Sequence, residues 1–283
     1  MATLRFTKMH GLGNDYVYID AFAQSVSAPA DLARRVSPRH TGIGSDGVIL
    51  ICPPSQPRKA DCRMEMYNAD GSRGQMCGNG IRCVGKYAYE HGLARRNPLR
   101  VETDSGIKEL RLGLNGNRVD RVTVDMGEPI LDGPRIPVAA EGRVIDASLD
   151  VGGQSYRATC VSMGNPHCVV FVDDVAPLAL ATIGPSFENH RFFPERVNTE
   201  FIQVIGPREL RMRVWERGSG ETEACGTGAC AAVVAGVLNG KNQRHAIVHL
   251  RGGDLEIEWR ESDGHVLMTG PAEEVFSGEL EVE

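Results

Sequence analysis

The chain lacks the features that mark a nucleic-acid-binding or membrane protein. Its 283 residues include 31 Lys and Arg against 37 Asp and Glu, a formal net charge of −6, with no polybasic run. Sequence-independent nucleic-acid binding needs a basic face, so no nucleic-acid partner is expected. The start of the chain has no apolar signal region, and the longest apolar stretch, 229–238, is far shorter than the roughly 20 residues that span a bilayer. We therefore expect a cytoplasmic protein with no membrane partner.

Cysteine occurs eight times, but no two cysteines are spaced as CxxC and no histidines stand in zinc-finger spacing. A disulfide framework is typical of short secreted chains, and this chain is neither short nor rich enough in cysteine for one. We expect free thiols and no metal site. Few lysines are present and none suggests a pyridoxal Schiff base, so we expect no cofactor.

Short strand-like runs separated by turns with Gly and Pro predict a strand-rich chain. The clearest runs are 16–20, 119–125, 168–172, 209–214 and 254–258. Two segments differ, because a glycine-rich start leads into small and apolar residues: CGNGIRCVGKYAYEHG over 77–92 and CGTGACAAVVAGVLNG over 225–240. We predict that each forms a helix that is closed by its C-terminal glycine.

The two predicted helices belong to a longer internal repeat. Gly13-Asn14 before one strand parallels Gly164-Asn165 before another; 63 positions separate Asn14 from Cys77, and 60 separate Asn165 from Cys225. A third pair, MGEP at 126–129 and MTGP at 268–271, follows in the same order. Chance matches are the alternative in a chain with 33 glycines, but the shared order favours duplication.

The repeat predicts an α+β fold of two pseudo-symmetric halves. Each half is expected to be a strand-rich sheet or barrel wrapped around one central helix, with the active site in the cleft between the halves. The predicted division gives an N-terminal half over 1–122, carrying Cys77, and a C-terminal half over 123–270, carrying Cys225.

A cysteine at the first turn of a helix meets unpaired backbone N–H groups and the positive end of the helix dipole, which together lower the pKa of a thiol. Cys77 and Cys225 hold this position. Glycines at positions 78, 80, 226 and 228 leave the N–H groups unshielded, so each helix start can also bind a carboxylate. The alternative for any single cysteine is a small buried side chain, and we accept that interpretation for the other six.

Two equivalent acid–base groups suit the inversion of a stereocentre at a carbon acid. One group removes the proton from one face and the other delivers a proton to the opposite face. Two thiols that titrate as a coupled pair can exchange these roles. Proton-transfer reach on both sides of the carbon predicts sulfurs about 7 Å apart.

The motifs resemble the diaminopimelate epimerase family over almost the whole chain. They are FTKMHGLGNDY, MYNADGSRGQMCGNGIRC, SMGNPHCVVFVDD, RVNTEF, WERGSGETEACGTGACAA and MTGPAE. The resemblance implies an isomerase that converts LL-2,6-diaminopimelate to the meso form without pyridoxal, in lysine and peptidoglycan-precursor synthesis. It also implies a homodimer and a C-terminal tail, 271–283, that joins the N-terminal half.

The resemblance implies Cys77 and Cys225 as the two catalytic bases. It implies substrate binding by the side chains and helix starts at Asn14, Asn68, Gly78, Asn79, Asn165, Asn198, Glu216, Arg217, Gly226 and Thr227. The Arg217 guanidinium would form a bidentate pair with the distal carboxylate of the substrate. His167 and Glu216 match positions thought to adjust the thiol pKa values, although His167 could be structural and the asparagines could serve turn geometry.

One position departs from the family pattern, since many members have Gln where this chain has Gly47 in GIGSDG. A substrate contact is expected to be missing there. Asp46 is interpreted as a turn or supporting residue and is left outside the predicted site.

Two other functions remain open at this point. A related cofactor-independent racemase or a phenazine-type isomerase would share the fold and the Cys-Gly pattern, but would not need the polar array of Arg217 and four asparagines. A thiol redox sensor would explain two activated cysteines, but would not need two sites for an anion.

Overall fold

The computed structural model describes residues 2–282, and the chain divides into two compact units. The first unit is Met1–Val124 with Gly270–Glu283, and the second is Asp125–Thr269. No helix in the described part of the chain has the length and apolar character needed to cross a membrane.

The first unit contains most of its elements before residue 125. They are β1 (Ala2–Gly11), β2 (Asn14–Asp20), α1 (Pro29–Val36), β3 (Gly47–Cys52), β4 (Cys62–Asn68), β5 (Arg73–Gly74), α2 (Gly78–Glu90), β6 (Leu99–Thr103), β7 (Gly106–Asn115) and β8 (Arg118–Asp125).

The second unit follows with β9 (Ala147–Val151), β10 (Gln154–Ser162), β11 (Pro166–Phe171), α3 (Leu180–Glu188), β12 (Asn198–Gly206), β13 (Glu209–Glu216), β14 (Gly220–Glu221), α4 (Gly226–Leu238), β15 (His245–Leu250), β16 (Gly253–Trp259) and β17 (Val266–Gly270). The last strand, β18 (Glu273–Val282), returns to the first unit and pairs antiparallel with β1.

The two units have the same strand order. In the first unit neighbouring strands run β18-β1-β2-β3-β4-β6-β7-β8, with β2–β3 and β4–β6 parallel. In the second they run β9-β10-β11-β12-β13-β15-β16-β17, with β11–β12 and β13–β15 parallel. The match confirms the duplication predicted from the sequence.

Each sheet encloses the second helix of its unit. Helix α2 contacts β1, β2, β3, β4, β6 and β7, while α4 contacts β10, β11, β12, β15 and β16. Nearly every residue of α2 is buried, as is most of α4. A helix with buried residues on all sides belongs in a core, and the prediction of a sheet wrapped around a central helix is confirmed in both units.

Strand register extends the repeat to single residues. In the first unit Val17 pairs with Val48, and Val48 pairs with Tyr67 on the next strand. In the second unit Cys168 pairs with Thr199, and Thr199 with Trp215, in the same order. Counting from these pairs gives the equivalent positions around the two cysteines. They are Asn14 and Asn165, Tyr16 and His167, Ile49 and Glu200, Asn68 and Glu216, and Cys77 and Cys225.

The predicted helices and strands are present, with ends that differ by a few residues. Helices α2 and α4 begin one residue after their cysteines and end before Gly92 and Gly240, which adopt positive φ angles of 76° and 65°. Two helices were not predicted, α1 and α3. Helix α1 is only eight residues long, and α3 contains Gly184 and Pro185, residues that disfavour a helix in isolation.

Helix α3 packs closely on the end of β13. A Cβ atom built on Gly184 would lie 2.2 Å from Cδ2 of the Trp215 indole, which is far inside contact distance. Trp215 is held in turn, because its Nε1 donates to Glu188 Oε2 at 2.8 Å. The absence of a side chain at Gly184 therefore sets the distance between α3 and β13.

We expect Gly184→Ala to lower the free energy of unfolding by about 2 kcal/mol, because a rigid ring must shift to admit the methyl group. Helix propensity alone predicts the opposite, an increase of about 1 kcal/mol in the free energy of unfolding, because alanine favours a helix more than glycine does. Urea denaturation followed by circular dichroism measures the difference. Gly206→Ala is the control, because a Cβ there meets nothing within 4 Å. An unchanged or raised midpoint for Gly184→Ala would contradict the packing argument.

Candidate active site

Cys77 caps the N-terminus of α2. Its backbone is extended (φ −130°, ψ 121°), and its Sγ accepts a hydrogen bond from the Gly80 N–H at 3.3 Å. The thiol also donates to Asn14 Oδ1 at 3.3 Å. Gly80 has no room for a side chain, since a Cβ atom would lie 2.7 Å from Cδ1 of Ile49. The first turn of α2 therefore lies directly against β3.

Asp46 sets the orientation of the Asn14 amide. Asn14 Nδ2 donates to Asp46 Oδ2 at 2.7 Å, which turns the amide oxygen towards Cys77. Burial and the nearby Asp15 carboxylate raise the pKa of Asp46, while Arg39 opposes this rise. The sequence interpretation left Asp46 outside the site, and the structure places it directly behind Asn14.

Asn68 and Gly47 face each other across β3 and β4. The Asn68 amide donates to Ser72 Oγ at 2.9 Å, within the turn that follows β4. A Cβ atom on Gly47 would lie 2.1 Å from the Tyr67 carbonyl oxygen. The backbone of this chain thus has no space at position 47 for the Gln that the family resemblance leads one to expect, and the missing substrate contact stays a prediction.

Cys225 stands at the equivalent N-cap position of α4, but its side chain makes no capping hydrogen bond, and it is buried more completely, with 4% of its surface exposed. Its Sγ lies 3.5 Å from Thr227 Oγ1. A Cβ atom on Gly228 would lie 2.6 Å from Glu200 Oε1 and 3.2 Å from the Cys225 sulfur. Gly228 is equivalent to Gly80, and Glu200 takes the place that Ile49 has in the first unit.

The expectation of a lowered thiol pKa is wrong for Cys225. Burial, followed by the charges of Glu216 and Glu200, raises its pKa well above the ordinary value. The helix N-terminus contributes only a smaller, opposing effect through the Gly228 N–H. Burial also raises the pKa of Glu216, against hydrogen bonds from Thr222 and from the Cys225 thiol. Cys225 is therefore held as a protonated thiol.

A second buried group lies beside Cys225. His167 Nδ1 is 2.7 Å from Glu200 Oε1, and its Nε2 is 3.0 Å from Asn165 Oδ1. The ligand atoms of His167, Glu200 and Cys225 lie within 4.8 Å of one another, and these donor types could hold a divalent transition metal. Both nitrogens of His167 are already hydrogen-bonded, so we interpret the group as an acid–base cluster.

Glu200 was missed by the sequence interpretation, although it lies in the quoted motif RVNTEF. The sequence gives little signal there, because β12 also contains Asn198, Thr199 and Gln203, and only the structure shows that Glu200 is buried. All five residues from Asn198 to Ile202 are buried.

The segment that carries Glu216 and Arg217 is fixed by two buried side chains. Asn198 Oδ1 accepts from the Arg217 backbone N–H at 2.9 Å, and Glu188 Oε1 accepts from the Gly218 N–H at 2.9 Å. Asn198 also donates to the Pro166 carbonyl at 2.9 Å. Asn198 thus links β11 to the Arg217 turn, and its direct contact with substrate stays a prediction.

The structure brings many of the predicted residues together within each unit. In the first, Asn14 contacts Cys77, and Asn79 is buried in the first turn of α2. In the second, the residues around Cys225 are Asn165, His167, Glu216 and Thr227. Gly78 and Gly226 begin their helices as predicted. Asn68 bonds within its own turn, and Arg217 Nη1 donates to the Glu195 carbonyl.

The fold is shared with solved structures of racemases and isomerases. A hydroxyproline epimerase from Agrobacterium vitis superposes with a TM-score of 0.69 at 15% identity, over 98% of this chain and 92% of that one. A phenazine biosynthesis protein from Bacillus anthracis gives 0.69 at 16% identity, over the full length of both. At this identity the likeness defines a fold class alone.

Sequence comparison is more specific. The diaminopimelate epimerase family model matches residues 6–131 and 159–275. Diaminopimelate epimerases of Agathobacter rectalis and Acetivibrio thermocellus are 55% and 52% identical, each over 99% of this chain and at least 99% of their own length. This chain belongs to the diaminopimelate epimerase family, which confirms the resemblance identified from the motifs.

The charge of Glu216 can be tested through the reactivity of Cys225. Glu216→Gln removes a negative neighbour, so the pKa of Cys225 should fall and the thiolate fraction at pH 8 should rise. A fall of about one unit gives a roughly tenfold faster alkylation by iodoacetamide. Mass spectrometry of the Cys225 peptide measures the rate. Glu261→Gln, at a side chain that is 80% exposed, is the control. Equal rates in wild type and Glu216→Gln would show that Glu216 does not hold the thiol protonated.

Proposed function

We propose that this chain catalyses the interconversion of LL- and meso-2,6-diaminopimelate by a two-base mechanism at Cys77 and Cys225. The observation that carries the proposal is the repetition of one arrangement in both units of a diaminopimelate epimerase family member. Each unit has a cysteine at the N-cap of a buried helix, followed by glycines that expose the backbone N–H groups.

The two sulfurs would act as one acid–base pair. The sulfur that is a thiolate removes the α-proton from one face of the carbon, and the thiol on the other face delivers its own proton, so that the two protonation states exchange in each turnover. Cys225 has the raised pKa and the neighbouring carboxylates. It is therefore suited to deliver the proton when the α-hydrogen faces Cys77.

Backbone N–H groups would stabilise the carbanion. As the proton leaves, negative charge spreads into the adjacent carboxylate, and preorganised donors near that group contribute about 3–4 kcal/mol each. The proposed donors are the helix starts at Gly78-Asn79 and Gly226-Thr227. The proposed reaction uses no cofactor and no metal.

The distal end of the substrate would bind to polar side chains. We propose that Arg217 pairs with the distal carboxylate, and that Glu216 and the carbonyl oxygens of Asn68 and Asn198 accept from the ammonium groups. The hydrogen bonds that the Arg217 and Gly218 N–H groups donate to Asn198 and Glu188 fix the Arg217 segment and support this assignment.

The wider proposal is a cytoplasmic homodimer in lysine and peptidoglycan-precursor synthesis. The dimer rests on the family resemblance, and the cytoplasmic location rests on the sequence, whose eight cysteines do not have the setting of a secreted disulfide framework.

The reaction is tested by incubating the protein, without cofactor, with LL-diaminopimelate in deuterated water. We expect the meso isomer to form and deuterium to enter at the inverted carbon, measured by chiral chromatography and mass spectrometry. Absence of both from fully reduced protein would overturn the proposal, and other amino acids would then be tested first.

The two-base assignment is tested by Cys77→Ala and Cys225→Ala. Each should lower kcat by about 10²- to 10⁴-fold, since each removes one obligatory proton donor or acceptor. Cys230→Ala is the matched control, because Cys230 lies on the same helix as Cys225 and is fully buried among apolar neighbours. Turnover near that of wild type in either of the first two variants would contradict the mechanism.

A further inference from the structure

Glu200 is a buried carboxylate that neither takes a proton from the substrate nor binds it in the proposed reaction. It is the third residue of β12 and has no exposed surface. It pairs across the parallel strands with Val169, so its side chain shares a sheet face with that of His167, two residues earlier. The equivalent residue in the first unit is Ile49, which is also fully buried. The fold therefore accepts an apolar residue at this position, and packing alone does not call for a carboxylate.

The hydrogen bonds of His167 define its protonation. Nδ1 faces the Glu200 carboxylate at 2.7 Å, and Nε2 faces the Asn165 amide oxygen at 3.0 Å. An ionised carboxylate and an amide oxygen are both acceptors, and an imidazole ring donates to two acceptors at once only as the imidazolium. The geometry at the two ring nitrogens therefore fits a proton on each of them.

The surrounding charges favour this pair. Glu216 and the Cys225 thiol are the other titratable groups close to it, and neither brings a positive charge. The second oxygen of Glu200, Oε2, has no hydrogen-bond partner among the described residues. A buried carboxylate needs a compensating cation, and His167 is in position to provide one.

The pair controls the orientation of the Asn165 amide. The imidazolium N–H holds Oδ1, so the NH₂ group is turned away from His167. The equivalent Asn14 is held at both ends, because its NH₂ group donates to Asp46 Oδ2 and its oxygen accepts from the Cys77 thiol. A carboxylate thus contacts Asn14 directly, whereas Glu200 reaches Asn165 only through His167.

We propose that Glu200 is a positioning residue that keeps His167 as an imidazolium, and that this cation holds Asn165 with its NH₂ group directed to a carboxylate oxygen of the substrate. The role in substrate binding rests on the proposed function. The protonation of His167 does not, and it can be measured in the protein alone.

The first measurement is the ¹⁵N NMR spectrum of histidine-labelled protein at neutral pH, with the His167 signals identified by their loss in His167→Gln. We expect both ring nitrogens of His167 to have chemical shifts of protonated nitrogen. Glu200→Gln should convert the ring to the neutral form with one N–H, whereas Glu200→Asp, which keeps the charge, should retain the imidazolium signature. A neutral His167 in the wild-type protein would overturn the proposal.

The second measurement is the separation of KM from kcat for diaminopimelate. With a neutral His167, the Asn165 amide can turn its oxygen to the substrate carboxylate, so Glu200→Gln should raise KM by about 10- to 100-fold, the effect of one lost hydrogen bond to a charged group. We expect kcat to change much less, and Glu200→Asp to recover most of the loss. A KM for Glu200→Gln equal to that of wild type would overturn the role in binding.

Glu256→Gln is the matched control. Glu256 pairs with His245 at 2.7 Å in the same unit, but both side chains are more than one-third exposed, so removing its charge should change neither constant. If it raised KM as much as Glu200→Gln does, the effect would not be specific to the buried pair. If Glu200→Gln does not fold, the wild-type spectrum and Glu200→Asp still decide the question.

The two proposals fail in different ways. An inactive wild-type chain with an imidazolium at His167 would remove the proposed function and leave the Glu200–His167 pair in place. An active enzyme with a neutral His167 would remove the inference and leave the function.

Discussion

The backbone N–H groups at the starts of α2 and α4 have no hydrogen-bond partner within their own helices. On a surface helix, water satisfies such groups, but both helices are enclosed by strands of their own unit. A cysteine stands at the N-cap of each helix, and at the start of α2 its sulfur accepts from the Gly80 N–H. The glycines three residues after each cysteine suit the same enclosure, because a Cβ atom there would meet the side chain of Ile49 on β3 or of Glu200 on β12. The site geometry thus follows from burying a helix terminus.

Duplication supplies the geometry, and substitutions at equivalent positions supply the chemistry. The residues beside Cys225 are His167, Glu200 and Glu216, and their equivalents by strand register in the first unit are Tyr16, Ile49 and Asn68. A matching strand order thus has uncharged residues in the first unit at the positions where the second unit has two carboxylates and a histidine. A reaction that removes a proton from one face of a carbon and adds a proton to the other needs a base and an acid at the same moment. Unequal surroundings can give the two thiols of a symmetric scaffold these different roles.

Much of this could be predicted from the sequence, since the repeat, the two central helices and their cysteines are visible as local patterns. The raised pKa of Cys225 could not be predicted. It depends on Glu216 and Glu200, which lie 9 and 25 positions before Cys225 in the sequence and reach the sulfur only because their strands pair. Asp46 was set aside for the same reason, as its contact with Asn14 spans 32 positions. Helix α3 was missed because tertiary packing against Trp215 stabilises a segment whose Gly-Pro pair disfavours a helix.

Comparison with the first unit shows that the second unit keeps two buried carboxylates although they cost stability. Ile49 shows that an apolar side chain satisfies the strand and the helix start at this position, whereas Glu200 must be desolvated and then paired. Glu216 carries a similar cost, which hydrogen bonds from Thr222 and the Cys225 thiol offset only in part, since its pKa remains raised. These two carboxylates carry a desolvation cost that their uncharged equivalents in the first unit, Ile49 and Asn68, do not carry. Their presence on one side of a duplicated scaffold is therefore better explained by the chemistry of Cys225 than by the packing of the second unit.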